Sequence, residues 1–198
     1  MNPPIFCGNN SVVECNLAKV EVVGSNPISR STNNRKVLIM DKHTKDVMFS
    51  SSDMNWSTPQ HFYDMLDERF GFDLDPCATQ ENAKCKEYYT KEDDGLTKSW
   101  GRNKKVFVNP PYGKDIKKWI KKAYEESRQH GSIVVMLLPA RTDTSYWHDY
   151  CMKAAEIYFI RGRLKFGGAK TGAPFPSAVV VFNWYHRGLS PTIMSINR

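Results

Sequence analysis

Four consecutive residues, Asn109-Pro110-Pro111-Tyr112, place an amide, two prolines and an aromatic ring directly after the strand-like segment Lys105 to Val108. The Asn109 side-chain oxygen and the Pro110 carbonyl are hydrogen-bond acceptors, and the prolines restrict the backbone that presents them. The Tyr112 ring offers a face for stacking a planar base. Two fixed acceptors beside such a face suit the activation of an amine on a heterocycle, because they help to localise the nitrogen lone pair. The alternative interpretation is a turn that only ends the strand.

Helix and strand patterns alternate from residue 55 to residue 183 and predict an α/β fold with a mainly parallel central sheet flanked by helices. Strands are predicted at 72–74, 87–90, 105–108, 133–138, 157–160 and 178–182, and helices at 62–70, 115–129 and 145–153. Such sheets bind ligands at the carboxyl ends of their strands. Asn109 follows the strand at 105–108, so its position favours a functional site over a simple turn.

The chain is predicted to contain one domain, at 49–187, between a poorly ordered N-terminal extension at 1–48 and a C-terminal tail at 188–198. The extension lacks sustained periodicity and carries Asn, Ser, Pro and Gly at short intervals. Part of it, Val12 to Ser31, resembles a translated transfer-RNA gene. A natural start at Met40, Met48 or Met54 is therefore an alternative to Met1.

The composition favours a polyanionic partner. Lys and Arg outnumber Asp and Glu by 28 to 21, which gives a formal net charge of +7, although a solvated lysine-rich surface has the same composition. The five cysteines form neither a CxxC pair nor a zinc spacing, which favours a reducing compartment and no metal site. The longest apolar run, Ile133 to Leu138, is too short to cross a bilayer, so we expect no membrane association.

Seven segments in a consistent order resemble the phage-type DNA N6-adenine methyltransferases, over roughly Trp56 to Trp184. They are WSTP at 56–59, FDLDPCA at 72–78, DGL at 94–96 followed by Trp100, NPPYG at 109–113, LLPARTDT at 137–144, RGRLKF at 161–166 and FPSAVVVF at 175–182. The resemblance implies a Rossmann-like class I methyltransferase fold. It also implies S-adenosylmethionine as methyl donor and the N6 amine of adenine in DNA as acceptor.

The resemblance also implies roles for individual residues. The catalytic residues would be Asn109, Pro110, Pro111 and Tyr112, and the cofactor would contact Trp56, Thr58, Pro59, Asp75, Pro76, Cys77, Asp94 and Asn109. Asp75 would contact the amino-acid end of the cofactor. The structural alternatives are a turn at Asp75-Pro76, a helix cap at Thr58-Pro59 and a solvated acidic loop at Asp93-Asp94. The chain departs from most Rossmann-like methyltransferases in lacking a Gly-rich loop after its first strand.

DNA contacts are expected in the loops that follow the predicted strands. The expected residues are Arg141, Arg161, Arg163, Lys165, Phe166 and Lys170. Phe166 or Phe175 could stack on the adenine, which must be flipped out of a duplex or lie in a single strand. A monomer is assumed, with DNA as partner, no metal and no membrane. The resemblance to phage enzymes places the protein in the bacterial host cytoplasm.

Two other functions fit parts of the same pattern. The motif at Asn109 to Tyr112 also occurs in enzymes that methylate RNA bases or a protein glutamine, although those enzymes normally carry the Gly-rich loop. A catalytically silent DNA-binding module would retain the fold and the basic loops. A hydrolase is disfavoured because the sequence contains no evident nucleophile triad or metal cluster.

Overall fold

The computed structural model describes residues 56–186 and 190–198. The extension predicted at 1–48 and the alternative start positions lie outside the described residues. None of the helices in these two ranges is long and apolar enough to span a membrane.

The described chain contains strands and helices in the order that the sequence predicts, with one further strand at 192–197. The strands are β1 (Leu74–Asp75), β2 (Glu87–Tyr88), β3 (Lys105–Val108), β4 (Ile133–Pro139), β5 (Glu156–Arg161), β6 (Ser177–Asn183) and β7 (Thr192–Asn197). The helices are α1 (Gln60–Phe70), α2 (Ile116–His130) and α3 (Ser145–Asp149), with single 3-10 turns at Cys151–Lys153 and Phe166–Gly168. The predicted helix at 145–153 is therefore a short α-helix followed by a 3-10 turn.

The seven strands form one sheet in the order β2-β1-β3-β4-β6-β5-β7. β6 runs antiparallel to both of its neighbours, and the other four strand pairs are parallel. The mainly parallel α/β sheet is thus confirmed. β7 pairs with β5 along its whole length, inside the stretch that the sequence analysis treats as a C-terminal tail. The sequence analysis missed this strand.

The core lies on both faces of the sheet, and β4 separates its two halves. Val134, Met136 and Leu138 point to the face that α2 and α3 cover. Val135 and Leu137 point to the opposite face, where α1 packs. All five are fully buried. A strand covered on both faces has no polar side, which explains the uninterrupted apolar sequence of β4.

The helix α2 owes its position to one apolar stripe. Its buried residues Ile116, Trp119, Ile120 and Ala123 recur at helical spacing, and its lysines occupy the opposite side. The helix ends at Gly131, whose positive φ of 70° allows its N–H to bond the Ser127 carbonyl oxygen. The end of α2 thereby leads directly into β4.

The polypeptide changes direction within the sheet between β1 and β3. The chain passes from β1 outward to β2 on one side, whereas β3 leads to β4 on the other side. A reversal of this kind leaves a crevice at the carboxyl ends of the two central strands. Asp75 ends β1 and Asn109 follows β3, so the topology brings these two residues to one crevice.

Candidate active site

A cavity of about 300 Å³ fills the crevice between the ends of β1 and β3. This volume lies at the lower end of the range of small-molecule sites. The predicted site residues that line it are Trp56, Thr58, Asp75, Pro76, Cys77, Asp94, Asn109, Pro110 and Pro111. Pro59 is the predicted cofactor residue that does not line this cavity. It borders a neighbouring groove with Lys165, Gly167 and Gly168.

The hydrogen bonds of its amide group determine the orientation of the Asn109 side chain. Its Nδ2 donates to the Trp56 carbonyl oxygen at 2.6 Å and to Thr58 Oγ1 at 3.0 Å. The opposite amide orientation would set Oδ1 against a carbonyl, which only accepts hydrogen bonds. Oδ1 therefore points away from the Trp56 segment, and it accepts a hydrogen bond from the Tyr112 hydroxyl at 2.8 Å. One lone pair of Oδ1 stays available for another donor.

Tyr112 connects the motif to the next strand. Its hydroxyl also lies 3.2 Å from the carbonyl oxygen of Leu137, on β4. Burial raises the pKa of Tyr112 well above its ordinary value, so the phenol stays protonated and remains a donor. Tyr112 therefore orients Asn109 and does not act as a base.

The Tyr112 ring belongs to an aromatic cluster of Trp56, Tyr112, Phe166 and Phe175. Phe166 and Phe175 meet the Tyr112 ring edge-on, with centroids at 6.2 Å and 5.5 Å. The Trp56 ring lies nearly parallel to it, at 6.3 Å and an interplanar angle of 25°. Contact at this range means that Trp56 covers part of the face that the sequence analysis assigns to a base.

Asp75 is a buried carboxyl group with only two hydrogen bonds to offset the free-energy cost of burying its charge. Its two oxygens accept hydrogen bonds from the backbone N–H groups of Cys77 at 3.2 Å and Lys84 at 3.4 Å. Burial raises its pKa to about 6, against the lowering effect of those two bonds. A perturbed carboxyl group that lines a cavity is typical of a functional site.

The loop after β2 closes the cavity through a close backbone contact that the sequence analysis did not identify. A Cβ atom at Gly95 would lie 2.0 Å from the Pro76 carbonyl oxygen, so only glycine fits there. Trp100, fully buried, donates from Nε1 to the Gly95 carbonyl oxygen at 2.7 Å. The DGL segment and Trp100 were recognised in the sequence. The contact between Gly95 and Pro76 was not, because it joins two segments that no local pattern connects.

The structure separates the two acidic candidates of this loop. Asp94 lines the cavity. Asp93 instead accepts hydrogen bonds from the N–H and hydroxyl of Thr90 and forms an ion pair with Lys98. Asp94 is therefore the acidic residue of this loop that a bound molecule can reach.

Further lining residues went unrecognised in the sequence. Lys84 and Lys91 line the same cavity as Asp75 and add positive charge to it. Phe107 and Trp119 add apolar surface. Phe107 and Trp119 occupy positions that the periodicity assigns to the core, so no local signal separated them from ordinary core residues. The Cys77 thiol stays neutral, because burial raises its pKa to about 12. It is therefore not a nucleophile at neutral pH.

The predicted DNA contacts divide into two groups. Arg161, the last residue of β5, and Arg163, Lys165 and Lys170, which follow it, are exposed at the end of the sheet where β3 and β5 both finish and where Asn109 lies. Phe166 is buried beneath them in the aromatic cluster, and Arg141 is half-buried after β4. Within the described ranges, no group of three or more His, Cys, Asp or Glu side chains could hold a metal ion.

The comparison with protein families matches residues 42–186 to the model of DNA N-6-adenine-methyltransferase (Dam). The chain belongs to this family. The match includes every segment of the cavity and of the aromatic cluster, and the sheet described above is consistent with a methyltransferase fold. The phage-type resemblance found in the sequence is thereby confirmed.

Two phage proteins are similar to this family member. The DNA N-6-adenine-methyltransferase of Escherichia phage T1 is 40% identical over 111 residues, which cover 55% of this chain and 45% of that protein. The protein of the same name from Haemophilus phage HP1 is 33% identical over 121 residues, which cover 59% of this chain and 68% of that protein. The chain thus spans less than half of the length of the phage T1 relative.

Replacement of the buried carboxyl group gives a pH-dependent effect on stability. Folding raises the pKa of Asp75 from 3.8 to about 6, so ionisation of this carboxyl opposes folding. Its contribution to the stability of the parent protein is therefore most favourable below pH 3.8, where the carboxyl is neutral in both the folded and the unfolded state. The parent protein loses this contribution as pH rises through about 6. We expect the free energy of unfolding of Asp75→Asn, relative to the parent protein, to increase by roughly 2–3 kcal/mol between pH 4 and pH 7. Urea unfolding of both proteins at each pH measures this, and a difference independent of pH would contradict it.

Proposed function

We propose that this family member transfers a methyl group from S-adenosylmethionine to the N6 amine of adenine in DNA. The observation that carries the proposal is the fixed amide of Asn109. Its Nδ2 is used by Trp56 and Thr58, and its Oδ1 faces the Tyr112 hydroxyl with one lone pair available. The amide thus stands where the cavity adjoins the aromatic cluster, as an acceptor that needs no rearrangement to receive an amine N–H.

The cavity fits the chemistry of S-adenosylmethionine. Asp75 is a buried carboxyl group that accepts hydrogen bonds from backbone N–H groups and from no described cation, which suits the ammonium of the amino-acid end. Lys84 lies on the same wall and suits the carboxylate of that end. Phe107 and Trp119 offer apolar surface to the adenine ring, and Asp94 can accept from the ribose hydroxyls.

S-adenosylmethionine, when bound, would supply an electrophilic methyl group; the amine nitrogen would form the N–C bond as the S–C bond broke with its electron pair left on sulfur, and one amine proton would pass to water. The residues of this chain contribute position and polarity. Asn109 Oδ1 accepts one N–H of the amine, and the Pro110 carbonyl, which accepts no hydrogen bond from any described residue, takes the other. Both acceptors raise the electron density of the nitrogen.

Stacking of the adenine on Tyr112 must accommodate the Trp56 ring. Trp56 lies over the Tyr112 ring, so the base either displaces the indole or enters beside it. Stacking of a base on an aromatic ring contributes roughly 1–3 kcal/mol of favourable binding free energy. A flipped base can therefore replace the Trp56 contact without a large net cost.

Adenine in DNA is favoured over the other acceptors by two observations. Both phage relatives carry the name DNA N-6-adenine-methyltransferase. The exposed cations at and after the end of β5 lie at the same end of the sheet as Asn109, which favours a nucleic acid over a protein glutamine as acceptor. The intact motif and the closed cavity distinguish the chain from a catalytically silent DNA-binding module. The phage relatives favour action in the cytoplasm of a bacterial host.

A substitution at Gly95 tests the cofactor site. Because an added Cβ would lie 2.0 Å from the Pro76 carbonyl oxygen, Gly95→Ala must move the loop away from the DPCA segment. We expect its affinity for S-adenosylmethionine to fall at least 10-fold in isothermal titration. Gly71→Ala is the matched control. It strains a positive φ of 66° but meets no atom nearer than 3.6 Å, so it should retain the parent affinity.

A substitution at Asn109 tests the reaction centre. Asn109→Ala removes the acceptor for the amine, and loss of one such preorganised group lowers kcat by about 10²–10³. The measurement is mass spectrometry of nucleosides from unmethylated DNA incubated with protein and S-adenosylmethionine. We expect N6-methyladenine with the parent protein, and with Asn183→Ala, whose amide lies at the opposite end of the sheet. Asn109→Ala should yield about a hundredth of that product or less.

Incubation with S-adenosylmethionine that carries a labelled methyl group distinguishes the alternative acceptors. Label transferred to RNA or protein and absent from DNA would contradict the proposal, as would N4-methylcytosine in place of N6-methyladenine. Full activity of Asn109→Ala would refute the assignment of the reaction centre.

A further inference from the structure

The last described residue, Arg198, reaches back to the turn that carries the predicted DNA contacts. Its Nη1 donates to the Arg163 carbonyl oxygen at 2.6 Å. The guanidinium also packs on Gly162, where an added Cβ would lie 3.4 Å from its Cζ. The parallel pairing of β7 with β5 produces this contact, because Asn197 lies beside Arg161 at the shared carboxyl end of both strands.

Arg198 adds a fifth cation to the surface formed by the four exposed cations at and after the end of β5. We call this surface the basic rim, and it consists of Arg161, Arg163, Lys165, Lys170 and Arg198. All five are exposed, and none forms an ion pair with a described residue. The segments 161–172 and 190–198 contain no Asp or Glu. The charge of the basic rim is therefore not neutralised locally, in contrast to the lysines of α2, several of which have carboxylate partners.

The segment directly after Lys165 connects the basic rim to the reaction centre. The N–H of Gly167 donates to the Ser57 carbonyl oxygen at 2.9 Å, next to the Trp56 segment that orients Asn109. Phe166, between Lys165 and Gly167, packs against Tyr112. An anionic ligand held on the basic rim would thus lie beside the aromatic cluster.

We infer that Arg198 is a DNA-backbone contact that also positions the Arg161–Lys165 turn. One of its five N–H donors is used on Arg163, which leaves the others for phosphate oxygens. Its hydrogen bond orders the turn that presents Arg161 and Arg163. The inference rests on the proposed function, because it takes duplex DNA as the polyanion that this surface binds.

The test compares three variants of the full chain: Arg198→Ala, Arg198→Lys and the control Arg102→Ala. Arg102 is also an exposed arginine, so its loss changes the net charge equally, but it precedes β3 and therefore lies at the opposite end of the strands from the basic rim. The dissociation constant for a short duplex is measured by fluorescence anisotropy over a series of salt concentrations. The affinity for S-adenosylmethionine is measured separately as a check on folding.

We expect the slope of log Kd against log salt to fall by about 1 in Arg198→Ala, since each lost phosphate contact releases roughly 0.9 fewer counterions. Arg198→Lys should restore most of the slope because it keeps the charge. Arg102→Ala should match the parent slope, and all three variants should bind S-adenosylmethionine normally. A parent slope in Arg198→Ala, or an equal loss in Arg102→Ala, would overturn the inference.

Failure of the proposed function has a different signature. A parent protein that binds duplex DNA with this salt dependence but methylates no adenine would refute the reaction and leave the role of Arg198 testable. A parent protein that methylates DNA while Arg198→Ala keeps the parent slope would refute the role of Arg198 alone. Absence of duplex binding by the parent protein would overturn the inference as well.

Discussion

The amide of Asn109 is the interaction on which the arrangement of the site depends. Its two N–H groups bond the segment before α1, and its oxygen receives the hydroxyl of Tyr112, which in turn reaches Leu137 on β4. Two side chains, those of Asn109 and Tyr112, thereby connect three segments that are far apart in the sequence. The prolines that follow Asn109 restrict the backbone further, so a single acceptor is fixed where the cavity and the aromatic cluster adjoin.

A second constraint is the burial of Asp75, which forms no ion pair with any cation of the described residues. Its pKa of about 6 means that the ionised carboxylate is disfavoured by the folded protein itself. A cationic ligand group would relieve this cost, so ligand binding and folding stability are linked through one residue. The close approach of Gly95 to Pro76 belongs to the same cavity, because both residues line it, and it leaves no room for a residue larger than glycine at position 95.

The elements and site residues that were predicted correctly are those marked by local periodicity or by a short motif. The strand at Lys105–Val108 was predicted with its observed bounds, and Asn109 was predicted at its carboxyl end, because apolar β-branched residues and a following Pro pair are local signals. The Gly95 contact, the Trp56 ring over Tyr112 and the Arg198 hydrogen bond were not predicted. Each joins residues that are distant along the chain. β7 was missed because the alternation of half-buried Met194 and Ile196 with exposed Ser195 and Asn197 is short, and the apolar but exposed Ile193 interrupts it.

A crystal structure with bound S-adenosylhomocysteine tests the central claim most directly, since this product keeps every part of the cofactor except the methyl group. The account predicts the ligand in the cavity between β1 and β3, with its ammonium on Asp75 and its sulfur directed toward Asn109. A ligand bound elsewhere, for example in the groove lined by Pro59 and Lys165, would contradict the assignment of the cavity and of the reaction centre beside it.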